Sequence, residues 1–272
     1  MTKELILPEG VEKYYNRSLY KFIDIKGAIK SLENSNIQFT KPTALNDPLD
    51  CHENLIAIKD PNKFKLESYL KILNKRPLNE WKKIIELYPK YDLEANFTKI
   101  IKENKESIGV FSMSKYYDTP ESYLVWAYYA QGHAGLCIEY QFPPDFLGQN
   151  RIMPLTVNYE EELTIVKTDL AGNYDMIPWV LKKSYVWRHE KEVRLVKLRI
   201  NFNGDNYNRQ PIPQEYITKI IFGANSDSQF IKNIKSALQK GKFNLSNIVF
   251  EQMKIDTGNF KLTPKPINIM TY

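Results

Sequence analysis

The chain has 272 residues, of which 43% are hydrophobic and 26% charged, a globular composition with enough length to bury a substantial core. Its net charge of +6 comes from 38 Lys and Arg against 32 Asp and Glu spread along the sequence, so an anionic partner is permitted and not required. Cys51 and Cys137 have no CxxC spacing, which argues against a disulfide framework or a zinc site, and no apolar run approaches the roughly 18 residues of a membrane span or forms a signal peptide, so the expected location is the cytoplasm with no membrane partner.

In chain order, residues 1 to 16 read as a lead-in broken by Pro8 and Gly10. Leu19 to Ile23 reads as a short strand, Ile25 to Leu32 as a helix and Ile37 to Thr40 as a second strand. That strand enters Lys41 to Pro48, where two prolines and the Asn46-Asp47 pair specify a rigid turn. From about 60 to 106 apolar residues recur at helical spacing, Tyr69, Leu70, Leu73, Trp81, Ile84 and Tyr88 among them, and Pro77 and Pro89 divide the stretch into about three helices. The expectation is a helical insert between the first strands and the remainder.

Ser107 to Ser114 then reads as a buried strand, followed by a short helix carrying Leu124, Trp126, Tyr128 and Tyr129 that ends at Gly132, His133 and Gly135. Leu136 to Tyr140 and Ile152 to Tyr159 are predicted strands, and Ala171 to Lys183 is weakly helical around Pro178. Trp187 to Val196 reads as a strand, Ile217 to Phe222 as another closed by Gly223, Asp227 to Leu238 as a helix capped by Ser226 or Asp227, and Asn247 to Ile255 as a last strand. Strands around segregated helices predict a single α+β domain over 1–272 rather than a regular βαβ alternation.

Three predicted strands carry polar residues that a purely structural sequence does not need: Tyr20-Lys21, Ser112-Met113-Ser114 and Glu190-Lys191-Glu192. A cation or aromatic ring could hold a phosphate or stack a base, a serine could fix a ribose hydroxyl, and a carboxylate could stabilise positive charge at a sugar carbon as a glycosidic bond breaks. In a strand, Glu190 and Glu192 share one face with Arg188 and Arg194, so an ion-pair ladder is the competing explanation. Trp126 and Tyr129 join the candidate ligand contacts. His133, between two glycines, is a candidate general acid or base, against the alternative of a capping histidine bonded to nearby backbone. Asp47, Asp50, His52 and Glu53 form a local acid and histidine cluster whose simpler explanation is Asx-turn chemistry, so no metal is expected. Phosphate-loop and GxGxxG fingerprints are absent, as are helix-turn-helix and zinc-finger motifs.

Leu19-Tyr20-Lys21-Phe22, Phe39 to Pro42 with Asn46-Asp47-Pro48, Phe111-Ser112, Trp126 to Ala130 with His133 and Gly135, and Trp187 with Glu190 to Arg194 together resemble a bacterial and phage-associated family known as a domain of unknown function. The resemblance spans about residues 19 to 240. More distantly the chain resembles the ADP-ribosyltransferase fold, with its first-strand Arg, His or Tyr, middle-strand Ser-Thr-Ser and later Glu-x-Glu. Tyr20 or Lys21, Ser112-Met113-Ser114 and Glu190-Lys191-Glu192 fill those places, with methionine for the central threonine and extra elements before Glu192. This resemblance implies a split, mixed or antiparallel sheet and NAD as substrate. Tyr20 and Lys21 would meet its diphosphate or ribose, Ser112 and Ser114 would line the pocket, Glu192 would stabilise the ribosyl cation and Glu190 would orient a protein or nucleic-acid acceptor, as in a toxin or phage-defence effector. The rival is a binding module without catalysis, its tyrosines and basic balance forming a stacking, phosphate-tracking surface.

Overall fold

The computed structural model describes residues 10–87, 92–168 and 176–272. Residues 1–9 of the lead-in, Tyr88 and residues 171–175 of the weak helix lie outside them. The chain opens with β1 (Ser18–Ile23), α1 (Ile25–Asn34) and β2 (Asn36–Thr40). A loop with a 3-10 turn at Pro42–Ala44 leads to β3 (Ile56–Ile58), and the following stretch is helical: α2 (Pro61–Leu73), α3 (Trp81–Ile85) and α4 (Leu93–Lys105). Then come β4 (Gly109–Ser114), α5 (Ser122–Tyr129), β5 (Leu136–Gln141), α6 (Pro144–Gln149), β6 (Ile152–Thr156), β7 (Asn158–Glu160) and β8 (Val166–Thr168). The remainder is α7 (Ile177–Val180), β9 (Lys182–Ser184), β10 (Glu192–Lys197), β11 (Tyr207–Pro211), β12 (Ile217–Phe222), α8 (Ser228–Lys240), β13 (Val249–Asp256) and β14 (Lys261–Pro266). Among the described residues, no helix is long and apolar enough to cross a membrane.

The fold is α+β, built on a ten-stranded sheet in the order β11-β2-β4-β1-β5-β12-β13-β14, with β10 on β4 and β6 beyond β10. Its ladders are antiparallel except β12 with β13, so the sheet is mixed and mostly antiparallel. Period-two alternation sorts side chains to its two faces. Along β5, Leu136, Ile138 and Tyr140 enter the core under α1 and α8, whereas Cys137 enters the one under α5. Burying each such aliphatic side chain contributes about 1.5–3 kcal/mol.

The helices on the first face have legible causes. Asp24 caps α1 by accepting from Gly27 N at 2.6 Å, and Ala28 and Leu32, four residues apart, form its buried stripe. Asp227 caps α8 at Phe230 N, and Phe230, Ile231, Ile234, Ala237 and Leu238 face inward against α1. On the opposite face, Trp126 of α5 is fully buried against Phe22.

The feature that opens a site is at β4. β10 pairs with one edge of β4 over its whole length, from Glu192 opposite Ser114 to Lys197 opposite Gly109. The other edge is shared: β1 joins only at Tyr20 opposite Ser114, and β2 only at Thr40 opposite Val110. β1 and β2 therefore part from each other, and the middle of that edge is left without a ladder. The Lys21 ammonium fills the gap, donating to the Ser112 carbonyl at 3.0 Å, because an unpaired buried carbonyl is costly.

Two expected strands differ, and the weak helix expected to reach Lys183 stops at Val180, with Lys182 and Lys183 in β9. The single strand expected over Trp187 to Val196 is a 3-10 turn at Tyr185–Glu190, a left-handed Lys191 with φ 46°, and then β10. Glu190 and Glu192 thus do not sit in one strand, and the shared-parity argument fails for Glu190. Ile152 to Tyr159 divides at Val157 into β6 and β7, where the Val157 amide turns to the Glu192 carbonyl. β3 and β8 are too short to show a period. β11 and β14 carry prolines that suit the sheet edges on which they lie.

At the end of β12, Gly223 donates to the Gly135 carbonyl at 2.9 Å, and a Cβ there would overlap the backbone carbonyl of His133. Gly223→Ala is expected to lower stability by roughly 1–3 kcal/mol, read as a fall in the thermal unfolding midpoint. An unchanged midpoint would show that the 130–135 turn moves aside at little cost.

Candidate active site

The split between β1 and β2 leads into a cleft of about 250 Å³ lined by Tyr20, Lys21, Ser112, Ser114, Tyr129, Glu190 and Glu192, with Asn46, Asp50 and Lys183 across from them. The ladder registers explain the convergence. Tyr20, Ser114 and Glu192 form one row across β1, β4 and β10, and residues opposite one another in a sheet share a face. Glu190 reaches the same cleft from the preceding turn, which the Ser114 hydroxyl holds by donating to the Glu190 carbonyl at 2.7 Å. Tyr159 supports β10 by accepting from the Glu192 amide at 2.9 Å.

The floor of the cleft is a network of buried charges. Arg194 is 0% exposed and Glu192 3%. The guanidinium donates from Nε to Glu192 Oε1 at 2.9 Å, from both terminal nitrogens to the Asp50 carboxylate, and to the Val180 carbonyl. Lys183 lies between the two glutamates, its ammonium 2.5 Å from Glu190 Oε2 and 3.0 Å from Glu192 Oε2. Tyr129 donates its hydroxyl to Glu190 Oε1 at 2.7 Å and accepts from Asn46 Nδ2 at 3.0 Å.

These neighbours shift the proton affinities of the two acids in opposite directions. Burial pushes the Glu192 carboxyl up, but Arg194 and Lys183 outweigh it and hold Glu192 well below its ordinary value. Burial also raises Glu190 and here prevails, since Lys183 offsets it and the Glu192 charge adds to it. Two buried carboxylates of unlike proton affinity are the pattern by which one site holds both a fixed charge and a group able to take up a proton. Desolvation lowers the Lys21 ammonium, against Glu192 and Glu190. Lys183 is raised because the same two glutamates overcome its desolvation.

Not every expected site residue belongs to this cleft. His133 lies in the turn after α5 with φ 65°, its ring stacked on Trp126 at 6.2 Å and not lining the cleft. Its Nδ1 is buried with no hydrogen-bond partner among the described residues, so that nitrogen does not make the bond to nearby backbone that a capping histidine would make. Burial lowers its pKa and keeps the ring neutral at pH 7. Trp126 is a core residue whose Nε1 donates to the Tyr117 carbonyl at 2.8 Å; it does not line the cleft either. Tyr20 borders the cleft by its ring, which packs on Tyr117 at 4.8 Å, while its hydroxyl turns toward Glu139.

The acid and histidine cluster disperses. Asp47 caps the Leu49 amide, His52 accepts from the Asn54 amide, Glu53 pairs with Lys105, and Asp50 turns inward to Arg194. Among the described residues, no group of three or more His, Cys, Asp or Glu is disposed to hold a metal ion. The ladder reading is met in part: Arg194 pairs with Glu192, but Arg188 is exposed and stacks over the Tyr185 ring at 4.3 Å.

Lys183 joins the site without a motif to announce it, while Asp50 and Asn46, which the sequence places in an acid cluster and a turn, also line the cleft. The one available signal for Lys183 was the need of two inward acids for a buried cation. Lys182 and Lys183 adjoin them in sequence, and the β7 to β9 ladder sends Lys182 to Glu160 and Lys183 to the cleft. No family model, curated protein or solved structure matches the chain.

Removing the Arg194 charge leaves Lys183 as the one cation shared by Asp50, Glu190 and Glu192 among the described residues, so Arg194→Met is expected to cost about 3–5 kcal/mol in urea unfolding. The pH dependence follows from the depressed Glu192. Its stabilising contribution is complete above its ordinary value of 4.5 and is lost as pH falls toward the lower folded value. Unfolding free energies measured from pH 7 to 3 should fall less steeply in Glu192→Gln than in the parent; equal slopes would refute the assigned charge state.

Proposed function

We propose that the cleft binds NAD and transfers its ADP-ribosyl group, with Glu192 as the carboxylate beside the reacting sugar carbon. The observation that carries the reading is the row Tyr20, Ser114, Glu192 across three adjacent strands, bordering the gap where β1 and β2 part. In such a transfer the bond from the ribosyl carbon to the nicotinamide nitrogen breaks and its electron pair leaves with nicotinamide. An oxocarbenium-like carbon is left, which a nearby fixed negative charge stabilises. Glu192, held ionised, supplies that charge. Ser112, a hydrogen-bond partner of Glu192, holds the carboxylate in place.

The acceptor's oxygen or nitrogen then bonds to the sugar carbon and gives up a proton. Glu190 is suited to take it, because its raised proton affinity brings it nearer the working pH than an ordinary carboxylate. Lys183 holds the two acids in one cleft and moderates their repulsion. A cluster of buried charges is a poor way to stabilise a fold, since well-packed apolar residues serve as well or better. Its position on the wall of a cleft favours a functional use.

A specific observation favours the second reading, a module that binds a macromolecule. Tyr128, Trp187 and His189 form a ring cluster with centroids 6.1–6.2 Å apart, on the same two segments as Tyr129 and Glu190, and Tyr128 is 60% exposed. Binding of RNA or DNA that weakens steeply with salt and is lost in Trp187→Ala would support it.

The test of transfer is incubation of the purified protein with labelled NAD and cell extract. Glu192→Gln is expected to lower nicotinamide release by about 10²- to 10³-fold or more, with circular dichroism and NAD affinity measured on the same sample to separate chemistry from folding. Glu190→Gln should reduce label transfer more than nicotinamide release. Failure of the parent protein to bind NAD or release nicotinamide would overturn the reading.

A further inference from the structure

A second cavity of about 500 Å³ lies on the other side of the split and shares Lys21, Phe22, Gln38, Thr40 and Tyr129 with the first. The two therefore meet where β1 and β2 separate. One wall of the second cavity is the exposed face of the β2 to β11 ladder. There Arg209 stands opposite Gln38 and Tyr207 opposite Thr40, while Ile37 and Phe39 point to the core. The other wall is the end of β1 and the first turns of α1, with Asp24, Gly27, Lys30 and Ser31.

The two cavities differ in charge. The first is lined by three carboxylates, Asp50, Glu190 and Glu192, and two ammoniums, Lys21 and Lys183. The second is lined by Lys21, Lys30 and Arg209 against one carboxylate, Asp24, which is engaged at the Gly27 amide. Lys30 and Arg209 have no ion-pair partner among the described residues, and Lys21 donates only to a carbonyl, that of Ser112. Cations of one sign around a cavity repel one another, a cost that an anion in the cavity would remove. Arg209 offers a planar fork matched to phosphate oxygens and Lys30 a point charge.

We propose that the second cavity is a phosphate subsite, in which Arg209 and Lys30 bind the diphosphate of a nucleoside diphosphate while Lys21 marks the junction with the acidic cleft. The assignment rests on the reading of the cleft as a nucleotide site and adds the residues that recognise the anionic part. A ligand threaded through the split would present its positive end to Glu190 and Glu192 and its negative middle to Arg209 and Lys30.

The test is titration of the full chain with ADP and with inorganic pyrophosphate by calorimetry at two salt concentrations, with nicotinamide as the uncharged control. ADP and pyrophosphate are expected to bind, more weakly at the higher salt. Arg209→Ala and Lys30→Ala should each weaken both by about tenfold, with Arg209→Lys retaining part of the affinity, and leave nicotinamide binding unchanged. Both side chains are exposed, so the variants should fold, which circular dichroism checks. Unchanged ADP affinity in both variants, or an equal loss for nicotinamide, would overturn the subsite. Loss of ADP affinity in a protein that releases no nicotinamide from NAD would uphold the subsite and refute transfer. Nicotinamide release with a KM for NAD unaltered by both variants would do the reverse.

Discussion

Arg194 carries a permanent charge into a position with no exposure to solvent, and the surrounding site is arranged to keep it there. Its five donors are directed at Asp50, Glu192 and the Val180 carbonyl, so one side chain ties the loop after β2, the start of β10 and the end of α7. A guanidinium does not shed its proton at any physiological pH. It therefore holds Glu192 well below its ordinary carboxylate value, and its contact with Asp50 draws that residue's loop against the sheet. Asn46 of that loop then lies within reach of Tyr129, and Tyr129 within reach of Glu190.

Lys183 extends the same logic to Glu190. One carboxylate would suffice to balance one ammonium, yet Lys183 contacts both glutamates. Arg194 already neutralises much of Glu192, so the Lys183 charge is divided and Glu190 is left incompletely compensated. This sharing explains why the two acids, alike in burial and in sequence, differ in proton affinity.

Long periodic segments were legible from residue pattern alone. β1, β5, β12 and α8 fall where alternation and Asp227 predict them, and Lys41 to Pro48 is the turn that its prolines and Asn46-Asp47 specify. The candidate residues Tyr20, Lys21, Ser112, Ser114, Tyr129, Glu190 and Glu192 also gather in one cleft. Trp126 and His133 stand out in the sequence as unusual residue types, but a tryptophan between apolar positions of a short helix is core first, and His133 stacks on it away from the cleft. A strand period puts Glu190 on one face with Glu192, and a single positive φ at Lys191 resets that period. Asp50 acts through Arg194, 144 residues away in the sequence, and local pattern holds no record of such a contact.

The ion-pair ladder and the functional cluster make different demands on geometry. A ladder would pair each glutamate with the arginine two residues away, at the surface, where such pairs contribute little. Glu192 does meet Arg194, but both are buried, and Glu190 passes over Arg188 to reach Lys183 inside the cleft. Glu190 also takes a tyrosine hydroxyl, Tyr129, that a structural ion pair would not need. Replacement of this network by apolar residues would stabilise the chain as well or better, while closing the gap in which β1 and β2 part would satisfy the β4 edge by a continuous ladder. Both costs are met at the same place. A fold that keeps an open strand edge and an incompletely balanced carboxylate side by side has a site whose charge is free to respond to what enters it.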